Sequence, residues 1–295
     1  IVINDLGNTG VGGELTDSAA VNIDVGAVND PPVNSVPSPQ VINEDGVLVF
    51  STGNGNAIAT HDLDVATGLL HVTLSVGRGV LTLSQTTGLT FLTGDGSADA
   101  TLVFTGTQAN VNAALAGLAY APNHDYFGPD TLTFTVDDLG NNGSGGNLSD
   151  TDTVAITVNP VNDRPVASGS GGGIIFVEND APLIVDGAIN LLDVDDTHLE
   201  GATIAILGHV AGEDVLAFVD QNGITGAWDP DTGVLTLTGT ATVAEYQAAL
   251  RSITYENTSD YPHTTGRTVE FTVNDGNLDS DAIQRQVAVV SIPRR

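Results

Sequence analysis

The chain has no cysteine, no methionine and no lysine, and its seven basic residues are all arginine. Zero cysteine removes disulfides and thiol chemistry. Zero lysine removes P-loops, Schiff bases and lysine–asparagine isopeptide staples. No run approaches about 20 uninterrupted apolar residues, so no segment reads as spanning a membrane. The lack of methionine implies that Ile1 is not the natural start and that the chain is a segment of something longer. On that expectation the lack of a targeting run carries no information. Positive charge is scarce against 37 acidic residues, giving a net charge of −30. Phosphate recognition needs clustered Lys or Arg, which argues against a nucleic-acid partner. So much negative charge repels itself in a compact state, and either bound cations or a saline medium would relieve it.

What the chain does have is a sentence written three times. Phe134–Val166 aligns without a gap on Ile1–Val33, 133 residues away, and a shortened third copy starts at Phe271. A period of that size is one whole domain, so the chain reads as a tandem array rather than one large enzyme. Agreement extends beyond pattern. Val80–Gly88 matches Val215–Gly223, Thr105-Gly106-Thr107 matches Thr238-Gly239-Thr240, and Tyr120 matches Tyr255. The array divides into 1–30, the last strands of a preceding repeat; 31–163, a full repeat; and 164–295, a full repeat with a shortened final loop. A lone hairpin is marginal in water, so residues 1–33 are expected to be completed by something outside the segment.

Within each repeat hydrophobicity alternates with period two over short runs. In the first these are Leu48–Phe50, Leu70–Val76, Val80–Leu83, Leu102–Phe104, Leu132–Val136 and Val154–Val158. In the second they are Leu183–Val185, Thr203–Leu207, Val215–Phe218, Val234–Leu237, Val269–Val273 and Gln286–Val290. Short strands separated by Gly, Asn, Asp and Thr predict an antiparallel, Ig-like sandwich. One helix interrupts each copy. Val243, Tyr246, Leu250 and Ile253 stand at helical spacing, and Thr242 with Glu245 forms a capping box. The counterparts Val111, Leu115 and Leu118 are expected to face the core as well.

Strand direction sorts the acidic residues to the ends of each domain. At the end where the linker Asn29-Asp30-Pro31 enters, strand counting places Asp62 and Asp64 together with Asp137 and Asp138. At the opposite end it places Glu44, Asp45, Asn123 and Asp125, facing the linker Asn162-Asp163-Arg164-Pro165. The next repeat supplies Asp193, Asp195, Asp196 and Asp275. The expected junction therefore gathers Glu44, Asp45, Asn123, Asp125, Asn162, Asp163, Asp193, Asp195 and Asp275. Asn, Asp and Gly also form turns, and any single Asp pair reads as a solvated turn. Clusters from three parts of two domains read better as a hard-cation site. Calcium takes six to eight oxygens, at about 2.3–2.6 Å, from carboxylates, amides and backbone carbonyls. The candidate Ca2+ ligands are Asn29, Asp30, Glu44, Asp45, Asp62, Asp64, Asn123, Asp125, Asp137, Asp138, Asn162, Asp163, Asp193, Asp195 and Asp275.

The linkers Val28–Val33 and Val161–Val166, the early glutamates Glu44 and Glu178, the pairs Asp62-Leu63-Asp64 and Asp193-Val194-Asp195, and the helix-to-tyrosine segments ending at Tyr120 and Tyr255 resemble the cadherin-like repeats of very large bacterial surface adhesins, including the RTX type. The resemblance covers essentially the whole chain. It implies an all-β fold of tandem Ig-like/cadherin-like Greek-key β-sandwich domains, each with one short helix. It also implies a secreted or surface-displayed protein whose junction calcium ions stiffen a stalk. Two departures stand out. There is no clean LDRE-like element, and the last repeat shortens its final loop by seven residues, eight separating Asp138 from Asn147 against one separating Asp275 from Asn277. The chain ends Ser291-Ile292-Pro293-Arg294-Arg295, without an Asn-Asp linker.

Other chemistry is poorly represented. The six histidines, His61, His71, His124, His198, His209 and His263, show no zinc spacing, and no GxSxG elbow exists. Paired carboxylates could serve a glycosidase, but a catalytic site should not recur once per repeat. Asp229–Gly233 reads as a tight turn, and Trp228 as a half-buried sandwich residue. The sequence thus predicts no enzyme but a calcium-stiffened extracellular repeat, acting in adhesion or structural spacing beside adjacent repeats of the same long chain. The alternatives are a carbohydrate- or protein-binding module in the last repeat and a subunit of an extracellular filament, with surface glycans, proteins or other copies of the chain as partners.

Overall fold

Alternating apolar residues give strands in every run named above. The computed structural model describes residues 1–8 and 10–293, so Arg294 and Arg295 of the terminal run lie outside the described residues. The chain divides into two units, Ile1–Asn159 and Pro160–Arg295.

The first unit opens with a hairpin, β1 (Val2–Asn4) and β2 (Thr16–Ser18). Then follow β3 (Val33–Ser35), β4 (Gln40–Asn43), β5 (Leu48–Phe50), β6 (Ala59–His61), β7 (Leu69–Ser75), β8 (Gly79–Thr82), β9 (Leu89–Thr93) and β10 (Thr101–Thr107). Helix α1 (Gln108–Leu115), β11 (Leu118–Pro122), β12 (Gly128–Asp137) and β13 (Ser149–Asn159) complete it. The second unit runs β14 (Val166–Ser168), β15 (Gly173–Val177), β16 (Leu183–Ile184), β17 (Asn190–Leu192), β18 (His198–Leu207), β19 (Asp214–Ala217), β20 (Thr225–Asp229) and β21 (Val234–Thr242). It closes with α2 (Val243–Arg251), β22 (Thr254–Asn257), β23 (Arg267–Asn274) and β24 (Ile283–Val290).

From β3 onward the two units share one topology, element for element. A six-stranded sheet, β4-β13-β12-β7-β10-β9 in one and β15-β24-β23-β18-β21-β20 in the other, faces a three-stranded sheet, β5-β11-β8 or β16-β22-β19. Each unit has its own apolar core, which includes Phe104, Phe134 and Tyr120 in the first and Phe176, Phe271 and Tyr255 in the second. The fold class is thus all-β, a tandem pair of sandwiches with one short helix each. Among the described residues, pairing between strands is antiparallel with one exception per unit: β4 runs parallel to β13, and β15 to β24; the isolated bridge Val28–Ser144 is parallel too. The antiparallel sandwich read from the sequence is present, with one parallel strand pair added in each unit. A chain that enters a sandwich at one end and leaves at the other gives its first and last long strands the same direction, so they can only pair parallel.

Both helices are short. Thr107 caps α1, accepting from the Asn110 amide, and Thr242 caps α2 with Glu245 in a reciprocal capping box. Val111, Leu115, Tyr246 and Leu250 are buried as their spacing predicts. Leu118 and Ile253, also buried, lie past the helix ends. Turn chemistry ends α1 early, and Gly117 with φ 105° leads the chain into β11.

Candidate metal centres at the linker ends

In the first unit the linker is held against two acidic turns. The Asn29 side-chain amide donates to Asp138 Oδ2 (2.5 Å) and to the Gly146 carbonyl (3.0 Å). The Asp30 amide donates to Asp64 Oδ2 (3.0 Å). The long β12–β13 loop approaches so closely that a Cβ at Gly143 would stand 2.4 Å from the Asn29 nitrogen. Asp138 is fully buried, and its second oxygen accepts from the Gly140 and Leu148 amides. Asp62, 4% exposed, uses Oδ1 to cap the amides of Asp64 and Val65.

Those bonds satisfy both oxygens of Asp138 but only one each of Asp62 and Asp64. An Asx turn needs one oxygen, and Asp62 Oδ1 provides it. Asp62 Oδ2, Asp64 Oδ1 and the side-chain oxygen of Asn29, itself 5% exposed, are buried without a hydrogen-bond partner. Burial, and after it the neighbouring Asp64 carboxylate, push the Asp62 carboxyl above its ordinary value. Leaving a buried acceptor unsatisfied costs about 1–3 kcal/mol, more for a charged group.

The second unit repeats the carboxylate arrangement. Asn162 donates to Asp275 Oδ2 (2.9 Å), and the Asp163 amide donates to Asp195 Oδ2 (3.2 Å). Asp193 Oδ1 caps the Asp195 and Asp196 amides, while Asp193 Oδ2 and Asp195 Oδ1 are buried without a partner. Burial and the adjoining Asp195 raise Asp193, as burial and Asp64 raise Asp62. Burial works against Asp275, but hydrogen bonds from Leu278, Asn162 and Asn277 outweigh it and hold that carboxyl below its ordinary value.

At the far end of the first unit Glu44 is buried and its amide donates to the Asn159 carbonyl. Asp45, His124 and Asp125 bring potential ligand atoms within 4.8 Å of one another. His124 Nδ1 lies 2.5 Å from Asp125 Oδ1. Asn123 closes the adjoining turn, its amide donating to the Arg78 carbonyl and its own carbonyl accepting from Tyr126. The sequence shows no zinc spacing around His124 and assigns it no ligand role; its position one residue before Asp125 is the available signal.

Asp137 does not join its neighbour Asp138. It ends β12 on the outward face, its Oδ1 accepting from the Leu139 amide, opposite His71 across the sheet. Adjacent strand residues point to opposite faces, so the Asp137-Asp138 pair was bound to split. Asp196 does join, since Asp193, Asp195 and Asp196 offer oxygens within 4.8 Å of one another. Asp229–Gly233 forms a turn closed by the Gly233 amide on the Asp229 carbonyl. Trp228, half-buried on edge strand β20, stands edge-on to His209 at 5.9 Å. Among the described residues no helix is long and apolar enough to cross a membrane.

The donor set in both linker-end sites is oxygen only, from carboxylate and amide side chains, with orphaned oxygens inside. That fits a hard divalent cation such as calcium. No family model matches the sequence. Among curated proteins the chain is similar to halomucin of Haloquadratum walsbyi (strain DSM 16790 / HBSQ001), 37% identical over 161 residues, or 52% of this chain. It spans 2% of that protein's length. Among solved structures it is similar to mouse cadherin-23 repeats EC22-24 (17% identity, TM-score 0.32), covering 90% of this chain and 67% of that one. It is also similar to protocadherin gammaB7 EC3-6 (14% identity, TM-score 0.33), covering 96% and 56%.

Proposed function

We propose that the chain is a calcium-stiffened repeat segment of a large extracellular surface protein, an adhesin or stalk of the kind its sequence resembles, acting in adhesion and structural spacing. The observation that carries this reading is the recurrence of the same orphaned oxygens, Asp62 Oδ2 with Asp64 Oδ1 and Asp193 Oδ2 with Asp195 Oδ1, beside each unit's own entering linker. A cation there would be held by Asn29, Asp62 and Asp64 in one unit and by Asp193 and Asp195 in the other. It would supply positive charge to carboxylates that no lysine can neutralise. The linker is already bonded to these groups through Asp138 and Asp64, or Asp275 and Asp195. Neutralising the repulsion would fix the direction in which the linker enters. Asp45 and Asp125, which lie together with His124, would supply a further set of donors at the far end of the first unit, with Glu44 and Asn123 as the further candidates. The partners on this reading are adjacent repeats of the same protein, displayed outside the cell.

Calcium at 100 times its dissociation constant stabilises a one-site unit by about 2.7 kcal/mol. Scanning calorimetry with calcium and with chelator should therefore show both transitions rise in calcium. Small-angle scattering should show a more extended, less flexible particle. Identical melting and scattering profiles in the two conditions would remove the proposal.

A further inference from the structure

The two linker-end sites share a plan but not a ligand set. In the first unit the residue after Asp62-Leu63-Asp64 is Val65, which is buried in the apolar core. In the second unit the matching residue is Asp196, whose carboxylate lies within 4.8 Å of ligand atoms on Asp193 and Asp195. The carboxylates of Asp195, Asp275 and Glu200 bear on it, opposed by His198.

The linker amide differs in the opposite sense. In the first unit the long β12–β13 loop meets Asn29 with carbonyl groups, those of Ser144 and Gly146, which occupy its two nitrogens. The Asn29 oxygen is left free. In the second unit that loop is seven residues shorter, and Asn277 lies beside the linker instead. The Asn277 side-chain amide donates to the Asn162 oxygen at 3.3 Å, so that oxygen is engaged. One site therefore offers two carboxylates and a neutral amide oxygen. The other offers three carboxylates, and its linker amide oxygen, that of Asn162, is already hydrogen-bonded to Asn277.

We infer that the two sites bind divalent cation unequally, and that Asp196 makes the site in Pro160–Arg295 the tighter one. The inference rests on the calcium reading of these sites and adds an order of filling to it. Affinity for calcium rises with the number of charged ligands. Replacing a neutral donor by a carboxylate is worth on the order of tenfold in dissociation constant. As calcium rises, the linker at Asn162-Asp163 is tied down before the linker at Asn29-Asp30.

The test is calorimetric titration of the intact chain with calcium chloride at constant ionic strength, beside the variants Asp196→Asn, Asp196→Ser, Asp195→Asn and Asp64→Asn. Circular dichroism in chelator confirms that each variant is folded. The wild type should show a tight and a weaker class of sites. Asp195→Asn should abolish the tight class and Asp64→Asn the weaker one. Both Asp196 variants should weaken the tight class about tenfold while leaving the other in place. If the Asp196 variants shift neither class, or if Asp64→Asn abolishes the tight class, the sites are not ordered by Asp196 and the inference fails while calcium binding stands. If the wild type takes up no calcium at millimolar concentration, the calcium reading fails and this inference with it.

Discussion

Tyr120 and Tyr255 occupy the same place in the two cores, yet the carboxylates they donate to come from different strands. Tyr120 donates to Asp130 Oδ2 (2.8 Å), which also takes the Arg78 amide while Asp130 Oδ1 takes that of Gly77. Tyr255 donates to Asp214 Oδ1 (2.6 Å). The sheet register puts Asp214 where the first unit has Gly79, and Arg267 takes the place of Asp130 near the start of the strand that follows the tyrosine's in the chain, which lies in the facing six-stranded sheet. A Cβ at Gly79 would stand 2.4 Å from the Ala121 carbonyl oxygen, so a carboxylate cannot enter the first unit at that position. Moving the acid to β19 brought a fully buried arginine with it, which bonds Asp214 through Nε (3.0 Å), faces Glu213 at 3.6 Å and donates to the His263 and Thr265 carbonyls. Removing one partner of a buried ion pair costs about 3–5 kcal/mol. Arg267→Ala should lower the stability of Pro160–Arg295 by that amount in urea denaturation, whereas Asp214→Asn combined with Arg267→Leu should recover part of it. A single-variant loss below about 1 kcal/mol, the range of a surface pair, would show the network to be energetically idle.

A second residue-scale expectation concerns acid. Burial pushes the Asp186 carboxyl up, but the Ala188 and Ser170 amides, the Ser170 hydroxyl and the nearby Arg285 outweigh it and hold its value below the ordinary one. A carboxyl whose folded value lies below its unfolded value stabilises the fold fully above the unfolded value, about 3.9 for Asp, and loses that contribution as pH falls through the folded value. The melting temperature of Pro160–Arg295 in chelator should thus fall as the pH drops below about 4. Asp186→Asn should flatten that fall. An identical acid profile for wild type and variant would refute the assignment.

At the scale of elements, each helix has a task beyond filling the core. The Asn112 side chain of α1 bonds both backbone groups of Thr60 on β6 (2.9 and 2.8 Å), and Gln108 accepts the Asp62 amide (2.8 Å). In the second unit Gln247 of α2 holds the Leu191 amide in the same way. The helix thereby fixes the strand that delivers the Asp62–Asp64 turn. Asn112→Ala leaves two backbone groups at a half-buried site without partners and should cost about 1–3 kcal/mol. If the helix positions the turn, the same variant weakens calcium binding by the first unit only, read by titration; unchanged affinity would limit Asn112 to a structural part.

The elements that could be read from sequence are those with one dry and one wet face. β12 and β13 alternate because Leu132, Phe134, Val136, Val154, Ile156 and Val158 all turn inward. β9 and β20 went unread because they are edge strands whose side chains are mostly exposed or half-exposed, so burial imposes no period on them. The parallel pairs went unread for another reason: alternation records which face a side chain takes, not the direction of the neighbouring strand. The candidate sites divide similarly. Asp62-Leu63-Asp64 and Asp193-Val194-Asp195 could be read because the spacing sits within one turn. The part taken by Asn277 could not, because it depends on where a shortened loop sets its side chain.

At the scale of the whole molecule, behaviour is set by a net charge of −30, and among the described residues the hairpin β1–β2 stands outside both apolar cores. Residues 1–25 repeat the β12–β13 sequence at matching positions, but the outcome for their side chains is opposite. Ile1, Ile3, Val21, Ile23 and Val25 are 67–89% exposed, whereas Phe134, Val136, Val154, Ile156 and Val158 are at most 2% exposed. The same residue types are dry in one place because β12 has β7 beside it and β13 has β4. β1 and β2 pair only with each other among the described residues. A two-stranded hairpin alone contributes little in water, and exposed aliphatic side chains favour association. Deleting residues 1–25, which keeps Asn29 and its bonds, should leave both calorimetric transitions within about 0.5 kcal/mol of the parent. It should also reduce self-association at high salt, where screening removes the repulsion that otherwise keeps copies apart. Sedimentation velocity in low and high salt reads the second effect. A fall of more than about 1 kcal/mol in the transition of Ile1–Asn159 would exceed what a surface change causes and would mean that the hairpin supports that unit after all.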